Sequence, residues 1–350
     1  MPRVHALDGL RLWCCVAVIV GHAAWGSVAS KLASFGVDVF FALRGYLITT
    51  LLLRARAGLG VNLRAFYIRR ARRILPAYYA ALVLAALLTW LLGSLFSDPF
   101  RGPADARFFT TTLPLYFAFV GNWTNASVPS VLDVLWSVCI EEQFYILFPP
   151  TIAIGARRWP VVFPVTIVLL CAWACRIWLA SRADPTLYRN TLAHADGLLL
   201  GALLAQLVEM PRSRLREWVA AHAAEVEVAA IALAAALLIL RRGDSPFAYW
   251  ATYLASAVCA VLLVLAFAIG RGPVARVLAW RPLAWLGTLT YVAYLFHMYA
   301  VTAAFGITRR LRLGEAEVPI RIALALAITF PIAYVAHVAI ERPFLRRKRE

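Results

Sequence analysis

The first apolar run reads Asp8-Gly-Leu-Arg11-Leu-Trp-Cys-Cys-Val-Ala-Val-Ile-Val-Gly-His22. It looks like a membrane helix, yet it holds an arginine near its start and a histidine eleven residues later. Eleven helical residues advance about 16 Å and return to within about 20° of the same face. Arg11 and His22 therefore share one stripe, too distant to touch but placed to hold two ends of a long ligand. An arginine inside a span costs about 2.5–3.5 kcal/mol on insertion scales, and function is the default explanation. The plainer alternative has Arg11 snorkelling to the lipid surface and His22 bonding a backbone carbonyl.

Three further stretches carry unusual polar groups. Phe35-Gly-Val-Asp38-Val-Phe-Phe-Ala-Leu-Arg44-Gly-Tyr46 opens the second apolar run. Its glycines Gly36 and Gly45 permit close helix approach. Asp38 sits where an interfacial cap would, whereas Arg44 lies deeper and needs a polar partner or a wet cavity. The segment Arg69-Arg70-Ala-Arg72-Arg73-Ile-Leu-Pro76 puts Arg70 with Arg73, and Arg69 with Arg72, on common helix faces. Such a cluster serves as a stop-transfer signal or, in the sharper reading, as a phosphate clamp of bidentate guanidinium groups. In Trp136-Ser137-Val-Cys-Ile-Glu141-Glu142-Gln-Phe-Tyr, two carboxylates fall inside an apolar run. Ser137 and Glu141 share a face, so Glu141 is the better interior candidate, where a carboxylate can orient an imidazole and stabilise its protonated form. His297 and His337 read equally well as bonded core histidines.

The elements that must position these groups follow from composition. The chain has 350 residues, 63% of them hydrophobic, with a mean hydropathy of +0.75, which predicts a polytopic membrane protein. The fold class expected is all-α, a transmembrane helix bundle of about ten spans: 7–29, 35–53, 74–97, 132–154, 161–181, 190–209, 219–240, 247–270, 283–306 and 319–340. The apolar stretch 108–121 is short enough to be interfacial or re-entrant. In this assignment 21 of the 35 Lys and Arg residues fall on the side of the N-terminus, which puts both termini in the cytoplasm. The formal charge of +17 is thereby used for orientation and headgroups, and no nucleic-acid partner is expected. The six cysteines form no CxxC pair and lie in apolar runs, so neither disulfide nor metal site is expected. With no linker or repeat, residues 1–350 read as a single membrane domain without an appended soluble one. Two sequons, at Asn122 and Asn125, are of a length that arises by chance.

Taken together and in order, these motifs resemble the acyltransferase-3 family of integral membrane O-acyltransferases. The resemblance runs nearly end to end: Leu-Asp-Gly-Leu-Arg11 before His22, Gly-Val-Asp-Val-Phe-Phe41, Arg70-x-x-Arg73-Ile-x-Pro76, Trp136-Ser-x-x-x-Glu141-Glu-Gln-Phe-Tyr, Ala-Asp196-Gly-x-x-x-Gly, Tyr-x-x-Tyr-Leu-x-His297 and Ile-Glu341-Arg-Pro-Phe. The resemblance implies transfer of an acyl group, acetyl foremost, from cytoplasmic acyl-CoA to a hydroxyl of an acceptor. Acceptors in the family include lipopolysaccharide O-antigen, exopolysaccharide, peptidoglycan, glycolipids, Nod-factor-like oligosaccharides and macrolides. Residue by residue it implies His22 and Glu141 as catalytic groups, with Arg11 and Ser137 as substrate-binding groups; Arg44 and Asp38 join them as substrate-binding candidates of this chain's own second span. Arg70 and Arg73, flanked by Arg69 and Arg72, would hold CoA. Acyl-CoA is then a co-substrate, with no tightly bound cofactor and no metal, and the setting is a bacterial cytoplasmic membrane. Two departures stand out. The family's usual Phe-Phe-x-x-Ser-Gly-Phe is here Phe40-Phe-Ala-Leu-Arg44-Gly-Tyr46, and His194 stands near the place of an arginine that often precedes Asp196.

The mechanism so implied is direct. The CoA phosphates sit on Arg70 and Arg73, the pantetheine arm runs past Arg11, and His22 acts as general base on the acceptor hydroxyl while Glu141 stabilises the imidazolium. The alternative from another class is a transporter or flippase whose buried ionisable residues form the substrate path. No inverted pair of broken helices, the sequence mark of a transporter, is visible.

Overall fold

The computed structural model describes residues 4–57, 60–92, 108–124, 130–155, 162–182, 184, 186–210, 212–240 and 246–346. Ten longer helices follow the ten apolar runs: α1 (His5–Ala23), α2 (Lys31–Ala57), α3 (Leu63–Leu92), α4 (Trp136–Gly155), α5 (Val162–Ser181), α6 (Asp196–Glu209), α7 (Ala223–Leu240), α8 (Pro246–Ile269), α9 (Thr290–Leu311) and α10 (Glu317–Ala336). No strand occurs among the described residues. A lipid environment explains this: every backbone N–H and C=O in a span must be satisfied within the segment, and a helix does so. Large side chains such as Leu87, Trp90, Leu233, Ile239 and Val335 are exposed, which in a multi-pass protein is the surface that lipid covers.

Among the described residues, eight helical segments are long and apolar enough to cross a membrane, fewer than the ten spans expected. Two helices account for the difference. Helix α6 has only 14 residues, because the chain from Thr186 to Ala195 runs through turns. Helix α4 has 20 residues, but Glu141, Glu142 and Gln143 lower its hydropathy. The third span also begins earlier than expected, at Leu63 instead of residue 74. Arg, Ala and Leu are good helix formers, so the arginine cluster continues the helix instead of ending a loop. The segment 108–121 contains a π-turn at Phe108–Thr112 and a five-residue helix, Leu113–Phe117, too short to cross. The Asn122 side chain is buried, closed to glycosylation, and Asn125 lies outside the described residues.

The chain divides into two compact units, each assembled from three separate stretches. The first comprises Met1–Cys14, Phe35–Leu63 and Ile140–Gly287. In it α8 packs on α5, α6 and α7, and α6 meets α2 at backbone distance. A β-carbon on Gly45 would sit on the Leu198 carbonyl oxygen, and one on Gly201 would sit on that of Ala42. The small residues are therefore what allows this crossing. The start of α1 is seated the same way, since a β-carbon on Gly9 would overlap the Leu278 carbonyl.

The second unit comprises Cys15–Ser34, Arg64–Cys139 and Thr288–Glu350. Its helices α9 and α10 pack side by side, joined through Arg312 and Gly314 in left-handed backbone conformations, φ +50° and +59°. Helix α9 is tied to α3 at two levels. Tyr291 donates to the Ile74 carbonyl at 3.0 Å and Tyr299 to that of Ala81 at 3.0 Å. These bonds bracket the turn around Pro76, which removes a backbone donor from α3. Tyr78 adds a bond to the Tyr116 carbonyl at 2.8 Å, fixing α3 against the segment Leu113–Phe117.

Candidate active site

Helix α1 is continuous from His5 to Ala23, so the stripe expected for Arg11 and His22 exists on one helix. At its lower end Arg11 donates to Asp8 Oδ1 at 2.9 Å, one turn back. His22, in the second unit, is half-buried near the other end. Its ring lies beside that of His297, with centroids 5.3 Å apart and planes inclined at 42°. His297 itself is fully buried, at 0% exposure. Its Nδ1 is 2.6 Å from the Tyr294 carbonyl oxygen. Because a carbonyl only accepts, Nδ1 carries the proton and Nε2 is left with a lone pair. That Nε2 is buried and has no hydrogen-bond partner among the described residues.

Tyr294 extends the cluster. Its hydroxyl is 2.6 Å from Ser137 Oγ and donates to the Val134 carbonyl at 3.0 Å. Ser137 Oγ also lies 3.2 Å from the Val134 carbonyl; with the Tyr294 proton on that carbonyl, the single hydroxyl proton of Ser137 goes to the Tyr294 oxygen. Tyr294 and His297 stand three apart on α9, so one helix face presents both. The result in the second unit is a chain of polar groups from His22 through His297 and Tyr294 to Ser137. The sequence marked Tyr294 and His297 only as a spacing on an apolar helix. Nothing in it says that His22 is their neighbour.

Arg70 and Arg73 also belong to this unit, on α3. Arg70 lies over the Phe66 ring at 5.6 Å. Ile74, the residue after Arg73, holds Tyr291, and Tyr291 precedes His297 by six residues of α9, about 9 Å of helix rise. The arginine cluster and the histidine pair are thus linked through two hydrogen-bonded helices.

The first unit gathers the remaining candidates into ion pairs. Arg44 Nε is 3.3 Å from Glu141 Oε2, and the Tyr145 hydroxyl donates to the same oxygen at 3.3 Å. Asp38 is buried and no interfacial cap: Oδ1 is 2.8 Å from His194 Nε2, and Oδ2 accepts from Ser256. His194 Nδ1 faces the Tyr188 carbonyl at 2.8 Å. Arg176, absent from the sequence-level candidates, is buried with Asp196 at 2.7 Å and also donates to the Ala193 carbonyl. In the second unit Arg321 pairs with Glu317 at 3.1 Å. Each of the four arginines that fall within spans therefore has a carboxylate, which is how a charge is carried at membrane depth. His337 is bonded to Glu341 at 2.6 Å, the arrangement of a structural histidine.

Comparison with known proteins adds relatives to this geometry. The chain is 30% identical to the peptidoglycan O-acetyltransferase OatA of Listeria monocytogenes and 29% identical to the putative peptidoglycan O-acetyltransferase YrhL of Bacillus subtilis, in each case over 97% of its own length. It spans about half of those relatives, 55% and 54% respectively. A putative O-acetyltransferase of Staphylococcus aureus (strain COL) is 32% identical over 59% of this chain and 35% of its own. No solved structure matches it. A family profile described as an acyltransferase domain matches residues 4–338, and the chain therefore belongs to the acyltransferase-3 family.

Proposed function

We propose that this protein is a membrane O-acyltransferase that moves an acyl group, acetyl foremost, from acyl-CoA to a hydroxyl of a cell-envelope glycan. The observation that carries this reading is the half-buried His22 beside His297 in a helical membrane protein of this family. In the proposed reaction the acceptor oxygen attacks the thioester carbonyl while His22 takes the hydroxyl proton. The tetrahedral intermediate then expels the CoA thiolate, the new ester C–O bond remains, and the imidazolium returns the proton to sulfur. His22 meets the acceptor because it is the less buried member of the pair.

The donor site in this reading is the arginine face of α3, with Arg70 and Arg73 on the CoA phosphates and Arg69 and Arg72 beside them. Its linkage to the histidine pair through Tyr291 and Ile74 supports a donor that reaches from one to the other. A cytoplasmic donor, cytoplasmic termini and a bacterial inner membrane belong to the same proposal, supported by the distribution of arginine. The glycan acceptor is proposed from the names of the two long-matching relatives, with peptidoglycan first, and glycolipid and macrolide-like hydroxyls behind it. Glu141, held by Arg44, and the groups Arg11, Asp38 and Ser137 are kept as required residues. The transporter reading is less favoured because the arginines at membrane depth already have carboxylate partners within the protein.

The test is chemical. Membranes containing the protein are supplied with acetyl-labelled CoA and cell-envelope glycan, and the glycan is examined for label released by mild base, the mark of an O-ester. Protein-dependent ester label supports the reading. Label that stays on CoA, with unlabelled and unmodified glycan appearing across the membrane, would favour transport.

A further inference from the structure

We propose that His297 is the positioning residue for His22: in the working enzyme its buried Nε2 lone pair is the acceptor to which the adjacent His22 imidazole turns one N–H, which leaves the opposite His22 nitrogen as the lone pair that meets substrate. This rests on the acyl-transfer reading for its purpose but on geometry for its content. Three observations carry it. The Tyr294 carbonyl fixes Nδ1 of His297 as the donor, so the tautomer is set from behind. The remaining nitrogen is fully buried and has no hydrogen-bond partner among the described residues, a state that costs about 1–3 kcal/mol if it persists. The neighbouring ring is another imidazole, with centroids 5.3 Å apart and planes inclined at 42°; the rings are adjacent without a hydrogen bond between them, and a rotation of the less buried His22 ring is what brings its N–H onto Nε2.

A general base with two equivalent nitrogens wastes half its population unless one is committed. Committing one nitrogen to His297 does this. It also gives the imidazolium, once formed, a buried acceptor for its second N–H while the first returns to the thiolate. His297 itself has no exposure and cannot meet substrate, which separates its role from that of His22. The Tyr294–Ser137 bond at 2.6 Å anchors the face of α9 from which His297 projects.

The experiment has two arms on the full-length protein in lipid. In the first, ¹⁵N-histidine NMR reads the tautomer of the His22 ring in wild type, His297→Phe and His297→Gln, with His22→Gln used to assign the signal. A single neutral tautomer in wild type, retained in His297→Gln and averaged in His297→Phe, supports the pairing. The same His22 tautomer in wild type and His297→Phe overturns it, whatever the activity. In the second arm, acyl transfer is followed in the same variants. The proposal expects kcat to fall at least tenfold in His297→Phe with KM for acyl-CoA unchanged, and to recover in part in His297→Gln, whose amide oxygen can accept. Equal loss in both variants, or a change confined to KM, overturns the positioning role. Wild-type protein without transfer activity counts against the acyl-transfer reading, while the NMR arm still decides the pair.

Discussion

The Arg44 guanidinium reaches the Glu141 carboxylate at 3.3 Å, and both side chains are nearly buried, at 12% and 11% exposure. Residues in one buried network couple by about 0.5–3 kcal/mol. A double-mutant cycle of Arg44→Ala and Glu141→Gln, read by thermal unfolding in detergent, is expected to give a coupling in that range. Additive single effects would mean that the pair is not energetically formed.

The Arg176–Asp196 pair makes a sharper stability prediction. Both residues are at 2% exposure. Removing one partner strands a charge and is expected to cost about 3–5 kcal/mol, whereas replacing both by apolar groups is often close to neutral. Arg176→Met should therefore unfold at a much lower temperature than the double variant Arg176→Met/Asp196→Leu, which should lie nearer to wild type. A double variant as unstable as the single one would contradict the assignment.

Close packing of α2 on α6 gives a third. Any β-carbon at Gly45 or Gly201 meets a backbone carbonyl that has no rotamer with which to yield. Gly45→Ala and Gly201→Ala are each expected to lower stability by about 1–3 kcal/mol, the usual range for overpacking. Gly306→Ala is the control, since nothing among the described residues lies within 4 Å of its added carbon, and it should be neutral or slightly stabilising.

The donor site is tested by kinetics. A hydrogen bond to a charged group contributes about 1.5–3 kcal/mol, so Arg70→Gln and Arg73→Gln should each raise KM for acyl-CoA about tenfold or more. Dephospho-CoA thioesters should narrow the difference from wild type. An unchanged KM would return the cluster to its other reading, a stop-transfer signal.

Helical class and the approximate positions of the long helices were legible in the sequence because apolar runs of about 20 residues have few other folds. The Arg11–His22 stripe was legible for the same reason: it depends on one helix and its periodicity. What could not be read was any partnership between distant segments. Asp38 could be read as an interfacial cap or as a substrate-binding group, and nothing in its own segment pointed to His194 and Ser256, to which it is bonded. His297 looked like one more core histidine until its ring was found beside His22. Such pairings follow from how helices pack, and periodicity within one helix carries no information about the neighbour. Arg176 escaped notice because a lone arginine in an apolar run has no motif until Asp196 is brought to it.

The most direct test of the account is release of free CoA from acetyl-CoA by membranes containing wild type, His22→Ala or Arg73→Ala, with cell-envelope glycan as acceptor. General-base catalysis contributes about 10²–10⁴-fold. The account predicts glycan-dependent release by wild type, a fall of that order in His22→Ala at saturating acetyl-CoA, and a loss in Arg73→Ala that high acetyl-CoA restores. Undiminished release by His22→Ala would contradict it.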